Sequence, residues 1–77
     1  MKIEVKLFNE LQQYKLREKN IFQIELNQGS SVNDLLEKLE IPQITKYFIL
    51  VNGRRAFEKT RLNSNDTVVL FSPVDGG

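Results

Sequence analysis

Tyr47-Phe48-Ile49-Leu50-Val51-Asn52-Gly53 is the stretch on which the fold turns. Five consecutive β-favouring apolar or aromatic residues meet Asn-Gly, the strongest short-range hairpin signal, because both turn residues tolerate the left-handed backbone that a two-residue loop demands. The stretch predicts a strand, a tight turn and a short return strand around Arg54 to Phe57. A run that is apolar at every position has no wet face, and such strands usually belong to sheets covered on both sides.

On its C-terminal side, Leu62 anchors a loop, Asn63-Ser64-Asn65-Asp66 reads as a turn, and Thr67-Val68-Val69-Leu70-Phe71 reads as a second strand of the same apolar kind. Ser72 and Pro73 end its pairing. On the N-terminal side, Ile3, Val5 and Leu7 alternate with Lys2, Glu4 and Lys6, the pattern of a strand with one buried face. After a polar stretch from Asn9 to Asn20, Phe22, Ile24 and Leu26 alternate with Gln23 and Glu25 in the same way. Gln28-Gly29-Ser30 closes that strand. Ser31 then stands as a helix N-cap with Asp34 three residues on, a capping-box-like pair that also puts an acid in the first turn, where the helix dipole favours it. Val32, Leu35, Leu36 and Leu39 follow at helical spacing, and Pro42 is expected to stop a helix of two to three turns.

Two all-apolar strands and one helix pose a packing problem, because the helix covers a single face of the sheet. The other face must be partly wet, packed under the long polar loops, or covered by another protein. The expected phase turns Ile49, Val51, Val68 and Leu70 toward the helix, and Phe48, Leu50, Val69 and Phe71 to the other side.

Composition removes whole classes of function. The chain has 77 residues, with eleven basic and ten acidic side chains for a net charge of +1, and no histidine, cysteine or tryptophan. A chain of this size buries only about 60% of its unfolded surface and is worth roughly 4 to 11 kcal/mol, so it has little room for an internal active site. Without His or Cys there is no Cys/His zinc site, thiolate-ligated iron–sulfur cluster, Ser-His-Asp or Cys-His triad, or histidine general base. An autonomous enzyme is not expected, and neither is a bound cofactor. Asp34, Glu37 and Glu40 read as the polar face of the helix, not as a metal site. Near-neutral charge argues against a nucleic-acid partner. No apolar run nears the roughly 20 residues that span a bilayer, the start alternates where a signal peptide would be continuously apolar, and the missing cysteines fit a reducing compartment. The expected location is the cytoplasm.

The ending, Val74-Asp75-Gly76-Gly77, supplies the chemistry that the body lacks. Two glycines without Cβ atoms can thread a narrow channel, and Pro73 to Gly77 reaches roughly 17 Å when extended. The expected organisation is one domain over residues 1–71 and a flexible tail over residues 72–77, whose terminal carboxylate is the working group.

Strand, strand, helix, strand, short strand, strand and diglycine is the ubiquitin-like β-grasp order, and the chain resembles the sulfur carriers of the MoaD/ThiS family over essentially its whole length. The motifs that carry the resemblance are Val51-Asn52-Gly53, Leu62 with Asp66-Thr67-Val68, and Phe71-Ser72-Pro73-Val74-Asp75-Gly76-Gly77. The last is similar to the Phe-Pro-Pro-Val-x-Gly-Gly ending of the molybdopterin synthase small subunit, with Ser72 replacing the first proline. The resemblance implies an α+β fold, a mixed sheet of four to five strands with one main helix packed on one face. It also implies a non-catalytic carrier whose Gly77 carboxylate is adenylated by an E1-like adenylyltransferase that uses ATP, converted to a thiocarboxylate, and presented to the molybdopterin synthase large subunit. Three other readings stay open: a thiamine-pathway carrier serving a thiazole synthase, a ubiquitin-like modifier, and a β-grasp interaction module that is never activated.

On the matching positions, Gly77 is the site of adenylation and thiocarboxylation, while Pro73, Val74, Asp75 and Gly76 thread the partner. Phe71, with Phe48, Leu50 and Val69, is the expected partner-facing surface, the alternative for Phe71 being ordinary core. Arg54, Arg55, Lys59 and Arg61 form a basic cluster around Glu58, either a solvated loop or a steering patch for an acidic partner, with Arg54 and Arg55 counted in the binding surface. Lys15, Arg17 and Lys19 around Glu18 form a second cluster.

Overall fold

The computed structural model describes residues 1–14, 19–42 and 47–73. The elements run β1 (Lys2–Phe8), a 3-10 helix (Asn9–Tyr14), β2 (Ile21–Glu25), α1 (Val32–Lys38), β3 (Phe48–Val51), β4 (Arg54–Ala56) and β5 (Thr67–Phe71). The strands form one sheet in the order β2-β1-β5-β3-β4. Neighbours are antiparallel except the central pair, in which β1 runs parallel to β5 with Val5 beside Val68 and Leu7 beside Leu70. The chain is therefore the α+β β-grasp, with five strands.

Alternation sets the core. Ile3, Val5 and Leu7 of β1, Phe22 of β2, Ile49 of β3, Ala56 of β4, and Val68 and Leu70 of β5 are buried in one cluster with Val32, Leu35 and Leu36 of α1. Val51 is partly buried against the same cluster. This is the expected phase: Ile49, Val51, Val68 and Leu70 lie on the helix side, leaving Phe48, Leu50, Val69 and Phe71 on the other. The hairpin is also as the sequence reads, with both turn residues in the left-handed region (Asn52 at φ 52°, Gly53 at φ 82°).

Three local expectations need correction. The stretch after β1 is not simply polar: its first six residues form the 3-10 helix and bury Leu11 completely. The return strand stops at Ala56, because the Phe57 N–H donates to Thr60 Oγ1 (3.0 Å) and the Thr60 N–H to the Phe57 carbonyl (3.0 Å), closing a turn. Finally, α1 ends before Pro42 can act. Ser31 caps its start as expected, the capping box being complete on both sides. At the other end Leu39 is the cap, the Glu40 N–H donates to the Glu37 carbonyl and the Ile41 N–H to the Leu36 carbonyl. This is a Schellman closure, with Glu40 at φ 58° where glycine is usual. Glu40→Gly removes the Cβ penalty and should raise stability by about 0.5–1 kcal/mol, read as a higher urea midpoint.

The first turn of α1 is tied to the loop after β4. The Val32 N–H donates to the Thr60 carbonyl (2.9 Å) and the Asn33 N–H to the Glu58 carbonyl (2.8 Å), which satisfies two donors that a helix start otherwise leaves open. Leu62, the expected anchor, is buried just beyond. Among the described residues no helix is long and apolar enough to cross a membrane.

Candidate functional site

The sheet face away from α1 is assembled from alternate residues of all five strands, and the register sorts them by chemistry. At one end Lys2 lies beside Glu25, and Glu4 lies between Gln23 and Thr67. In the middle, Ile21, Lys6, Val69, Leu50 and Arg55 form one row across the sheet. At the far end Phe8, Phe71 and Phe48 are neighbours on β1, β5 and β3. Phe48 and Phe71 stack with ring centroids 5.5 Å apart, and both remain accessible. This is the end from which the chain leaves β5 toward its diglycine. The apolar surface and the base of the tail therefore meet at one corner.

That corner is held in place. Ser72 is buried, and its carbonyl accepts a hydrogen bond from Asn9 Nδ2 (3.0 Å), so the chain is fixed to the body one residue beyond β5. Asn9 sits at φ 56°, a conformation asparagine tolerates better than most residues, which lets it turn out of β1 and reach back. Pro73 is exposed. Val74, Asp75, Gly76 and Gly77 lie outside the described residues, as do Lys15, Arg17 and Glu18 of the second basic cluster.

Of the expected binding residues, Phe71, Phe48, Leu50, Val69 and Arg55 share this face. Arg54 does not: it pairs with Val51 and so projects to the helix side. Consecutive strand residues point in opposite directions, and reading Arg54 and Arg55 as one patch overlooked that. Arg61 is also separate, its backbone bridging Ser31 and its guanidinium donating to the Gly29 carbonyl (3.4 Å). Two aromatics went unrecognised. Phe8 shares the parity of Lys2, Glu4 and Lys6, and extending β1 by one residue would have placed it on this face. Phe57, just past β4, is 64% exposed, with no periodicity to mark it.

Arg55 lies over both rings of the β3–β4 edge, its guanidinium carbon 5.3 Å from the Phe48 centroid and 5.7 Å from that of Phe57. Beside it opens a groove of about 620 Å³, lined in part by Tyr47, Phe57, Lys59 and Pro73. The Tyr47 hydroxyl donates to Glu58 Oε1 (2.8 Å). Burial, then the hydrogen bond to Glu58 and its charge, push the Tyr47 phenol up from 10.0 to about 12. In an alkaline titration followed by phenolate absorbance, Tyr47→Phe should remove a component centred near pH 12. Because the folded value lies above the unfolded one, the associated stabilisation is complete below pH 10 and is lost as pH rises toward 12.

No three His, Cys, Asp or Glu side chains converge as a metal site among the described residues. The remaining motif residues form a structural network. Asn52 Nδ2 donates to Asp66 Oδ1 (2.8 Å), the Asn63 N–H to Asp66 Oδ2 (2.8 Å), and the Thr67 N–H to Asn52 Oδ1 (2.9 Å). The hairpin turn is thereby bonded to the turn before β5. These residues hold the sheet's architecture at the end opposite the tail.

The sequence profile of the ThiS family matches residues 5–77, from β1 through the diglycine. This chain belongs to the ThiS family. Similar solved structures include SAMP1 from Haloferax volcanii (21% identity, all of both chains covered, TM-score 0.80). A protein assigned as molybdopterin converting factor, subunit 1, from Pyrococcus furiosus is 29% identical over 95% of this chain and 98% of its own, with a TM-score of 0.76. A third is a complex of subunits 1 and 2 of the molybdopterin-converting factor from Helicobacter pylori (23% identity, all of both chains covered, TM-score 0.68). Among curated proteins, none matches. For this ThiS-family chain, SAMP1 and the H. pylori complex establish the fold alone. Family membership makes it a small protein of the sulfur-carrier type with a ubiquitin-like fold, a group that is in general not catalytic.

Proposed function

We propose that this chain is a sulfur carrier that works through the Gly77 carboxylate and serves as the small subunit of a molybdopterin synthase. The observation that carries the reading is the family match running unbroken to Gly77. In the proposed cycle an E1-like adenylyltransferase joins the carboxylate to AMP and releases pyrophosphate. A sulfur nucleophile then displaces AMP, one oxygen is replaced by sulfur, and a Gly77 thiocarboxylate results. Pro73, Val74, Asp75 and Gly76 thread this group into the partner, and Phe8, Phe48, Phe71, Leu50 and Val69 dock beside it. Reach and affinity thus belong to different parts of the molecule, with the accessible aromatics as the anchors. ATP is used by the activating enzyme, and the carrier binds no cofactor of its own.

The choice of acceptor is supported by the P. furiosus protein, whose assignment is to the molybdopterin converting factor, and the tail sequence agrees with it. Delivery to a thiazole synthase is the second reading, favoured by the family's own name.

Intact mass after incubation with an E1-like enzyme, ATP and a sulfur source tests the terminus directly. The expected result is a gain equal to exchanging oxygen for sulfur, located at Gly77 and absent from a chain lacking it. A chain that never gains sulfur, but becomes joined to lysines of other proteins, would be a modifier instead.

A further inference from the structure

We propose that the groove beside β4 is a docking site for an extended acidic segment of a partner protein, which sets a carboxylate against Arg55 and Lys59 and an apolar side chain against Phe57 and Tyr47. The groove shares Phe48 with the aromatic row but extends away from it to Phe57, Glu58 and Lys59 beyond β4. It lies where the sheet ends, β4 being the outermost strand, with no neighbouring strand along its far edge among the described residues. Its volume, about 620 Å³, suits a few side chains and not a globular surface.

Charge selects the occupant. Arg55 is pinned between the rings of Phe48 and Phe57, so its positive charge stays at the groove mouth at little further entropic cost on binding. No acidic group among the described residues forms an ion pair with Arg55 or Lys59. The one acid in the lining, Glu58, accepts from the Tyr47 hydroxyl, and with Arg55 and Lys59 it leaves the groove a formal charge of +1. A net cationic groove, in which neither Arg55 nor Lys59 has an ion-pair partner among the described residues and an aromatic side chain is 64% exposed, fits a segment bearing an acid close to an aliphatic or aromatic residue. A second copy of this chain is a poor fit, since the neighbouring exposed residues of β4 are themselves cationic.

A random peptide library displayed on phage and selected on the full chain, with Arg55→Gln/Lys59→Gln as the counter-selecting variant, tests the proposal. Both substitutions are at exposed positions, so the variant should keep its fold. The expected outcome is enrichment of peptides with an acid adjacent to an apolar residue. A synthetic copy of one should shift the amide resonances of Tyr47, Phe57 and Lys59, and should bind roughly ten-fold more weakly to the double variant and to Phe57→Ser. No enrichment, neutral or basic peptides, or shifts centred on Phe8, Leu50 and Val69 would overturn it. Peptides resembling Pro-Val-Asp-Gly-Gly would also overturn it, by assigning the groove to the chain's own tail. The readout is binding alone, so the outcome is independent of whether Gly77 accepts sulfur.

Discussion

Gly76→Trp should abolish the sulfur gain at Gly77 and all downstream transfer while leaving the urea midpoint unchanged. In the proposed cycle the Gly77 carboxylate enters another protein's active site, and a side chain one residue away would widen the segment that has to pass. Misplacing a reacting group by as little as 1 Å costs about a hundred-fold, and an obstructed tail misses by more, so a loss above roughly a hundred-fold is the minimum expected. Adding one residue after Gly77 should be equally severe for a different reason: it removes the carboxylate from the position that is activated. Intact mass reports activation, and circular dichroism together with the urea midpoint reports the fold. Retained transfer in either variant would sink the carrier model.

The second large effect is on the fold. Asp66→Ala removes the acceptor of both the Asn52 side-chain amide and the Asn63 N–H at a position that is only 8% exposed. Losing two hydrogen bonds to a carboxylate should cost about 2–3 kcal/mol. At about 1 kcal/mol per molar urea for a chain this small, the midpoint should fall by about 2–3 M. Asp66→Asn keeps one acceptor oxygen and should lose less. A carrier assay on Asp66→Ala below its unfolding transition should be close to normal, because the network lies at the end of the sheet remote from the tail. A selective loss of transfer with full stability would show that these residues touch a partner.

The two apolar strands show no hydrophobic alternation from which to read their phase, so the expected phase is a choice between two, and the structure has the one chosen. Of the six residues expected on the open face, Phe48, Leu50, Val69, Phe71 and Arg55 stand on it by the same logic that buries Ile49, Val68 and Leu70; Arg54 does not, since a charged pair adjacent in sequence looks like a patch but straddles a strand. Phe8 was hidden by the boundary drawn between a strand and a polar stretch, and Leu11 by the polar residues around it. Pro42 suggests a helix stop, but hydrogen bonds donated by the Glu40 and Ile41 N–H groups close the helix first, and a glutamate at positive φ carries no sequence signal. The diglycine ending gives the expectation of a tail, yet the attachment of its base through Asn9 and Ser72 depends on two residues 63 apart, which local patterns cannot link.

The parallel pairing of β1 with β5 at the centre of the sheet also bears on damaged molecules. The strand that carries the tail is not an edge strand that could be lost while the rest stands; it separates β1 from β3 and contributes Val68 and Leu70, both fully buried. A chain cut within 67–71 therefore forfeits the middle of its sheet along with its terminus. Such a fragment cannot present the aromatic corner, so it cannot linger as a decoy occupying partner surfaces without a group to deliver. Only cleavage in the few residues beyond Ser72 could create a folded, tailless competitor, which narrows the window for self-poisoning to the segment that, in the proposed cycle, a partner would enclose.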